Sequence, residues 1–127
     1  MGNVFWVGVG GLIGSILRYL LSGLVHDWSK RDDFPVGTLA VNVVGCLVIG
    51  LLSQLAEARG AFSPATRAFI IIGVLGGFTT FSSFGNETVN LWRDGEHMLG
   101  YLNVAAQLVL GLGAVWLSRL LGDKIWG

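Results

Sequence analysis

The sequence predicts an all-α membrane protein with four transmembrane helices, from two properties of the whole chain and one local motif. Hydrophobic residues make up 53% of the 127 positions, and the mean hydropathy is +0.68. These values are too apolar for a soluble domain of this size. Most charges fall in short segments between long apolar stretches. In the third stretch, two adjacent glycines are followed by four hydroxyl residues, which favours an interrupted helix.

Each of the four apolar stretches is long enough to cross a bilayer. A helix that crosses about 30 Å of hydrocarbon requires roughly 20 mostly apolar residues. The predicted spans cover about residues 4–25, 35–56, 67–92 and 98–121. Pro35 suits the start of the second helix. Because the connections are short and polar, residues 1–127 are predicted to form a single transmembrane domain.

Glycine spacing predicts close packing between spans. Gly10 and Gly14 are four residues apart in the first span, and Gly73 and Gly77 are four apart in the third. Small residues at this spacing let two helix backbones approach closely inside a bilayer.

The third span is predicted to be broken near Gly76–Thr80. Non-helical backbone at membrane depth is tolerated only against protein or a water-filled cavity. Unwound carbonyls there suit a bare cation such as Na+. The alternative is a kinked helix in which the Ser and Thr side chains bond to their own preceding turn.

Phe81 and Phe84 follow the predicted break and share one helical face. Such spacing commonly indicates packing. The functional alternative is that the positive edge of each ring faces a small anion while the ring excludes water and larger ions.

Thr38 and Asn42 lie one turn apart in the second span, so their donors face the same way. Neutral donors can bind an anion without trapping it behind a full positive charge. Hydrogen bonding to a neighbouring helix is the alternative.

Four further polar residues lie within spans. Arg18 and Glu87 are functional candidates because intramembrane charges are costly, although both are near enough to a helix end to snorkel. Asn103 and Gln107 share a face of the fourth helix. That face either lines an aqueous route or bonds to a neighbouring helix.

The sequence excludes several kinds of chemistry. It contains no Walker loop, no His-Glu-x-x-His motif and no nucleophile elbow, so we predict that the protein is not an enzyme. Its eight basic and eight acidic residues cancel and form no basic run, so no nucleic-acid partner is indicated.

The loop charges give no preferred orientation in the membrane. Four spans place both termini and the second loop on one side and the other two loops opposite. The bases in the loops, at the termini or at the start of a span are Arg59, Arg67 and Lys124 on the first side, and Lys30, Arg31 and Arg93 on the second. Since Lys and Arg set orientation, such a chain can insert both ways, and two opposed copies can form an antiparallel homodimer. The alternative is that other features set the orientation.

Three motifs together resemble the Fluc (CrcB) family of fluoride channels. They are Gly14-x-x-x-Arg18, Gly37-Thr-Leu-x-Val-Asn42 and Gly73-x-x-Gly-Gly-x-Thr-Thr-Phe-Ser-x-Phe84. The third is highly specific, and the match in order and spacing covers nearly the whole chain.

The resemblance implies passive, selective fluoride export through two pores between opposed subunits, in a bacterial inner membrane. It implies that each pore takes one phenylalanine ring from each chain. The implied ion-path residues are Phe81, Phe84, Asn42, Thr38, Thr80, Ser83, Glu87 and Thr88. It also implies a vestibule shaped by Arg18, and a structural Na+ at the dimer axis held by the Gly76 and Thr79 carbonyls. The family often has small hydroxyl residues where this chain has Asn103, Gln107 and Gly111.

Two other functions remain open from the sequence. A small multidrug exporter is also short, four-helical and able to insert both ways, but it needs an acid in the first span, where this chain has only Arg18. A non-transporting membrane assembly subunit would need no broken third helix.

Overall fold

The computed structural model describes residues 2–60 and 62–127, and every regular element in these ranges is helical. Met1 and Ala61 of the predicted domain lie outside the described residues. The elements are α1 (Gly2–Ser29), α2 (Val36–Arg59), α3 (Pro64–Arg67), a π-helical segment (Ala68–Leu75), α4 (Gly76–Phe78), α5 (Phe81–Arg93) and α6 (His97–Trp126).

Four helices are long and apolar enough to cross a membrane when Pro64–Arg93 is taken as one span. The prediction of four apolar helices is therefore confirmed. The main contacts join α1 to the π-helical segment and α4, α2 to α6, α1 to α2, and α5 to α6. Each span thus packs mainly on two others, and the chain closes into a four-helix bundle.

Local signals explain the turn between α2 and α3. Helix α2 ends at Gly60, whose φ of 57° is left-handed and whose N–H donates to the Ala56 carbonyl. Helix α3 begins after Ser63, whose hydroxyl accepts from the Thr66 N–H at 3.2 Å. Pro64 occupies the first helical position, where its missing N–H costs nothing.

The glycines of α1 and of the third span face one another. A Cβ added to Gly73 would lie 2.9 Å from Gly10 Cα, and one added to Gly77 would lie 2.7 Å from the Gly11 carbonyl oxygen. A Cβ on Gly14 would lie 2.9 Å from the Phe78 nitrogen. The predicted close approach is confirmed, because a methyl group at these positions would collide with backbone.

Helical geometry in the third span is interrupted at Thr79 and Thr80. Gly76 is still helical, with φ −62° and ψ −37°. Thr79 is extended, at φ −87° and ψ 158°, and so is Thr80, at φ −150° and ψ 109°. Helix α5 then starts at Phe81, and the Thr80 hydroxyl caps it by accepting from the Ser83 N–H at 3.1 Å.

The outward faces of α1 and α6 are apolar. Their exposed side chains include Leu12, Ile16, Leu20, Leu112 and Trp116. Such a surface is expected where the surroundings are hydrocarbon, since lipid tails are as apolar as leucine.

Candidate functional site

Asn42 on α2 completes the interrupted backbone at Thr80. The Thr80 N–H donates to Asn42 Oδ1 at 2.8 Å, and Asn42 Nδ2 donates to the Thr80 carbonyl at 3.1 Å. The Asn42 side-chain amide therefore satisfies both the backbone N–H and the backbone carbonyl of Thr80. Leaving either group unpaired in an apolar environment would cost about 2–7 kcal/mol.

This arrangement frees a carbonyl on α4. In a continuous helix the Thr80 N–H would donate to the Gly76 carbonyl four residues earlier, but here it donates to Asn42. The Thr79 N–H and hydroxyl both donate to the Leu75 carbonyl, each at 3.0 Å. In the described part of the chain, no hydrogen bond outside regular helix reaches the carbonyl of Gly76 or Thr79.

Gln107 on α6 joins the same network. Asn42 Nδ2 donates to Gln107 Oε1 at 3.0 Å. The other end of the amide, Gln107 Nε2, is buried and has no hydrogen-bond partner among the described residues. One asparagine therefore links the second, third and fourth spans.

Thr38 and Glu87 form a second polar contact, nearer the start of α2. The Thr38 hydroxyl donates to Glu87 Oε1 at 2.7 Å. Thr38 is 7% exposed, and Glu87 Oε2 is buried without a partner among the described residues. The spacing suggested that Thr38 and Asn42 could donate to one ligand. In the structure, Thr38 bonds to Glu87, whereas Asn42 bonds to Thr80 and Gln107.

Hydroxyl groups cluster at the beginning of α5. The Thr80 hydroxyl donates to Ser83 Oγ at 3.0 Å and lies 3.3 Å from Ser82 Oγ. The hydroxyls are therefore already bonded to one another.

Thr88 and Asn103 lie on the other side of α5, against α6. Asn103 Nδ2 donates to the Thr88 hydroxyl at 2.9 Å, and that hydroxyl donates to the Phe84 carbonyl at 2.7 Å. Asn103 is 0% exposed. These two residues hold the Phe84 backbone and do not line either cavity described below.

Phe81 and Phe84 pack edge to face, with ring centroids 5.4 Å apart and planes at 64°. Phe81 is 81% exposed on the single chain. A large ring this exposed, beside a polar network in the middle of a span, has only hydrocarbon or another protein surface to face.

Two cavities bring the predicted residues together. The first, about 940 Å³, is lined by Arg18, Thr38, Thr80, Ser83 and Glu87. The second, about 380 Å³, is lined by Asn42, Gly76, Thr79, Thr80, Phe81, Phe84 and Gln107. Thr80 lines both, so the two clusters meet where the third span is non-helical.

Sequence reasoning missed some cavity residues. Ser15 and Ser22 on α1 line the first cavity, and Cys46 lines the second. A single serine in an apolar helix ordinarily bonds to its own backbone, and a lone cysteine usually indicates packing, so no local signal distinguished them.

Four apolar helices long enough to cross a bilayer, with polar side chains bonded between them, define a multi-pass membrane protein. The chain belongs to the CrcB family: residues 5–119 match the family described as "CrcB-like protein, Camphor Resistance (CrcB)". The resemblance seen in the sequence is therefore confirmed.

Curated relatives carry the name "Fluoride-specific ion channel FluC". The protein from Methylobacillus flagellatus is 45% identical over 118 residues, which are 93% of this chain and 92% of the relative. The one from Parabacteroides distasonis is 47% identical over an alignment of 128 positions that covers 98% of this chain and 96% of the relative. "Fluoride-specific ion channel FluC 3" from Methanosarcina barkeri is 40% identical over 119 residues, covering 94% and 89%.

Proposed function

We propose that this protein is a fluoride-selective passive channel that exports fluoride from the cytoplasm across the bacterial inner membrane. The observation that carries the proposal is the second cavity. It places Phe81 and Phe84 beside the uncharged amides of Asn42 and Gln107, in a chain whose relatives are named fluoride channels. The family consists of passive channels, so the protein is not an enzyme.

The chemistry of this cavity suits fluoride. Fluoride is small and strongly hydrated, so it leaves water only where dense donors and positive ring edges replace its hydration shell. Amide and hydroxyl groups supply such contacts without the fixed charge that would hold the anion too tightly to conduct. Chloride is larger and a weaker acceptor, and it gains less from the same groups.

A second, inverted copy of the chain would complete each pore. Phe81 is 81% exposed. Gly76 is exposed in the middle of its span, where an added Cβ would meet only the Ile71 carbonyl oxygen, at 4.0 Å. An antiparallel homodimer would cover this surface and pair one phenylalanine from each chain in each of two pores. The balanced loop charges support insertion in both directions.

The residues present fit a structural Na+ at the dimer axis. Among the described residues, no hydrogen bond outside regular helix reaches the Gly76 or Thr79 carbonyl, and both residues border the second cavity. Two copies would provide four carbonyl oxygens, the ligand type that unwound membrane helices use for Na+. When bound, the cation would supply positive charge that stabilises the contact between two helix ends at the interface.

The first cavity suits the role of an aqueous approach to the pore. Arg18 would attract anions there, while Thr38, Ser83 and Glu87 provide polar lining. Thr88 and Asn103 support the backbone of Phe84 from outside the path. In this proposal, the predicted polar residues lie either along the ion path or behind it.

Fluoride efflux from liposomes that contain the purified protein tests the proposal. We expect rapid efflux of fluoride and no matching efflux of chloride, measured with ion-selective electrodes in paired vesicles. Equal rates for both ions would overturn the selectivity. Absence of fluoride flux from a monodisperse, reconstituted protein would leave the exporter or the assembly subunit as the better function.

A further inference from the structure

Two serines of α1 line the first cavity, although neither the sequence motifs nor the family resemblance assigned them a role. Ser15 and Ser22 lie on one face of the helix, with Arg18 between them. All three line the cavity, and so does His26, one turn further along the same face. Ser15, Arg18 and Ser22 thus form a polar wall on α1, here called the α1 wall, about 10 Å long.

Ser22 is at the end of the α1 wall nearer His26, beside α2. A Cβ added to Gly37 would lie 2.5 Å from Ser22 Oγ, so this hydroxyl is directly against the start of α2. The next residue is Thr38, whose hydroxyl donates to Glu87 Oε1 at 2.7 Å. Ser22 is therefore at the same depth as the polar contact between α2 and α5.

Ser15 is at the inner end of the α1 wall, beside the third span. A Cβ added to Gly77 would lie 3.2 Å from the Ser15 nitrogen, and Gly77 is three positions before the non-helical Thr80. Thr80 and Ser83 line the same cavity. The α1 wall therefore leads from the level of Thr38 to the hydroxyl groups at the start of α5.

The polar groups of the α1 wall are free of protein partners. The Ser15 and Ser22 hydroxyls take part in none of the side-chain hydrogen bonds among the described residues, whereas the Ser118 hydroxyl donates to a carbonyl of its own preceding turn at 3.0 Å. Arg18 likewise forms no ion pair within the described part of the chain. A guanidinium and two hydroxyl donors without partners, inside a membrane span, suit an anion.

We propose that the α1 wall binds fluoride as it passes between the aqueous end of the first cavity and Thr80, with Ser15 and Ser22 as hydrogen-bond donors on either side of Arg18. This proposal rests on the proposed function and deepens it. Arg18 attracts the anion, and the two hydroxyls replace part of its hydration shell. Because a hydroxyl carries no net charge, neither serine holds the ion too tightly to conduct.

Cysteine labelling tests whether anions reach the α1 wall, independently of transport. Cys46 is the only cysteine, so Cys46→Ser provides a background without thiols. Ser15→Cys and Ser22→Cys are each placed in nanodiscs, which leave both membrane faces open, and treated with an anionic or a cationic methanethiosulfonate. We expect both variants to react. After correction for the rates with a free thiol in solution, the anionic reagent should be faster by about two- to fivefold, because Arg18 attracts it.

Ile16→Cys in the same background is the matched control. Ile16 is the neighbour of Ser15 and is 51% exposed, but it lines neither cavity. Its thiol should face hydrocarbon and remain unmodified, since charged reagents are excluded from the bilayer core. Arg18→Gln should remove the preference for the anionic reagent. Reaction at both serine positions no faster than at Ile16 would overturn the proposal.

Fluoride efflux tests whether the hydroxyls act on the ion itself. Ser15→Ala and Ser22→Ala should each raise the fluoride concentration that gives half-maximal efflux by about three- to tenfold, as expected for the loss of one hydrogen bond. Ser15→Thr keeps the hydroxyl and should behave like wild type. Ser53→Ala is the control for loss of a serine hydroxyl, because Ser53 lies on α2 and lines neither cavity.

The two measurements separate this proposal from the channel function. A purely structural role of the serines would lower Tm and the maximal efflux, and would leave the half-maximal concentration unchanged. An unchanged half-maximal concentration in both alanine variants would therefore overturn the proposal. If the wild-type protein conducts no fluoride while labelling gives the expected pattern, the channel function fails and anion binding by the α1 wall is retained.

Discussion

At the scale of single residues, Asn42 shows how one side-chain amide can join three membrane spans. Its amide satisfies both polar groups of Thr80 and also orients Gln107. The sequence predicts that Asn42 is a polar residue on the inner side of its helix. It does not predict the partners, because Asn42 and Gln107 are 65 positions apart and spacing rules apply only within one helix.

Phe81 and Phe84 lead to a prediction about throughput. Replacing either with Ile removes the ring edge that is proposed to face the anion and should lower fluoride efflux by about two- to tenfold, since aromatic contacts contribute roughly 0.5–1.5 kcal/mol each. The measurement is efflux from liposomes at matched protein content.

The exposure of Phe81 makes this test specific to the pore. At 81% exposed, its ring contributes little to the packing of the single chain. Phe5→Ile is the control, because Phe5 is 64% exposed on the outer face of α1 and also packs edge to face on a neighbouring ring, that of Trp6. Wild-type efflux in both Phe81→Ile and Phe84→Ile would remove their assigned role.

At the scale of elements, apolar length predicted the four helices, and glycine spacing predicted close helix packing. The spacing did not predict that α1 and the third span would be the helices that meet. The π-helical segment Ala68–Leu75 was not predictable, because its residues are ordinary apolar ones and one extra residue per turn leaves no compositional trace. The polar groups of the third span were visible in the sequence. Their division between two cavities depends on the exact positions of Thr79 and Thr80, which hydropathy does not resolve.

The glycine contact between α1 and the third span predicts a large loss of stability for Gly77→Ala. The added methyl would lie 2.7 Å from the Gly11 carbonyl oxygen, so the two backbones would have to separate. Overpacking of this kind costs about 1–3 kcal/mol. Thermal unfolding in detergent should show a lowered Tm.

Gly8→Ala is the comparison for that experiment. Gly8 lies on α1 as well, but apart from its own chain neighbours and the nearby backbone of α1, no described atom comes within 4 Å of an added Cβ. Alanine is also the better helix former, by about 1 kcal/mol. The packing argument is wrong if Gly77→Ala and Gly8→Ala unfold at the same temperature.

At the scale of the whole molecule, the exposed Gly76 surface predicts how the chain assembles. Gly76→Leu adds a side chain into open space on the single chain, so the fold of each copy should be unaffected. It should nevertheless weaken the proposed homodimer, because the partner would meet the new side chain. Light scattering in detergent should show a smaller species than wild type.

Gly113→Leu is the matched control for assembly. Gly113 is an exposed glycine of α6, and an added Cβ there also meets nothing within 4 Å. We expect this variant to keep the wild-type mass. A dimer of unchanged stability in Gly76→Leu would place the interface elsewhere on the molecule.

Removal of Na+ gives the final prediction, and it also concerns the assembled molecule. The proposed ligands are the Gly76 and Thr79 carbonyls, so no side-chain charge holds the cation and its affinity depends on two copies meeting correctly. Exchange of Na+ for a large organic cation should therefore lower both fluoride efflux and Tm, since a ligand bound only to the folded assembly stabilises it. Restoring Na+ should recover both, whereas K+, with its larger radius, should recover less.

Thr79→Ser, which retains the carbonyl, should behave like wild type in the same titration. Full efflux and unchanged Tm without Na+ would exclude a structural role for the cation.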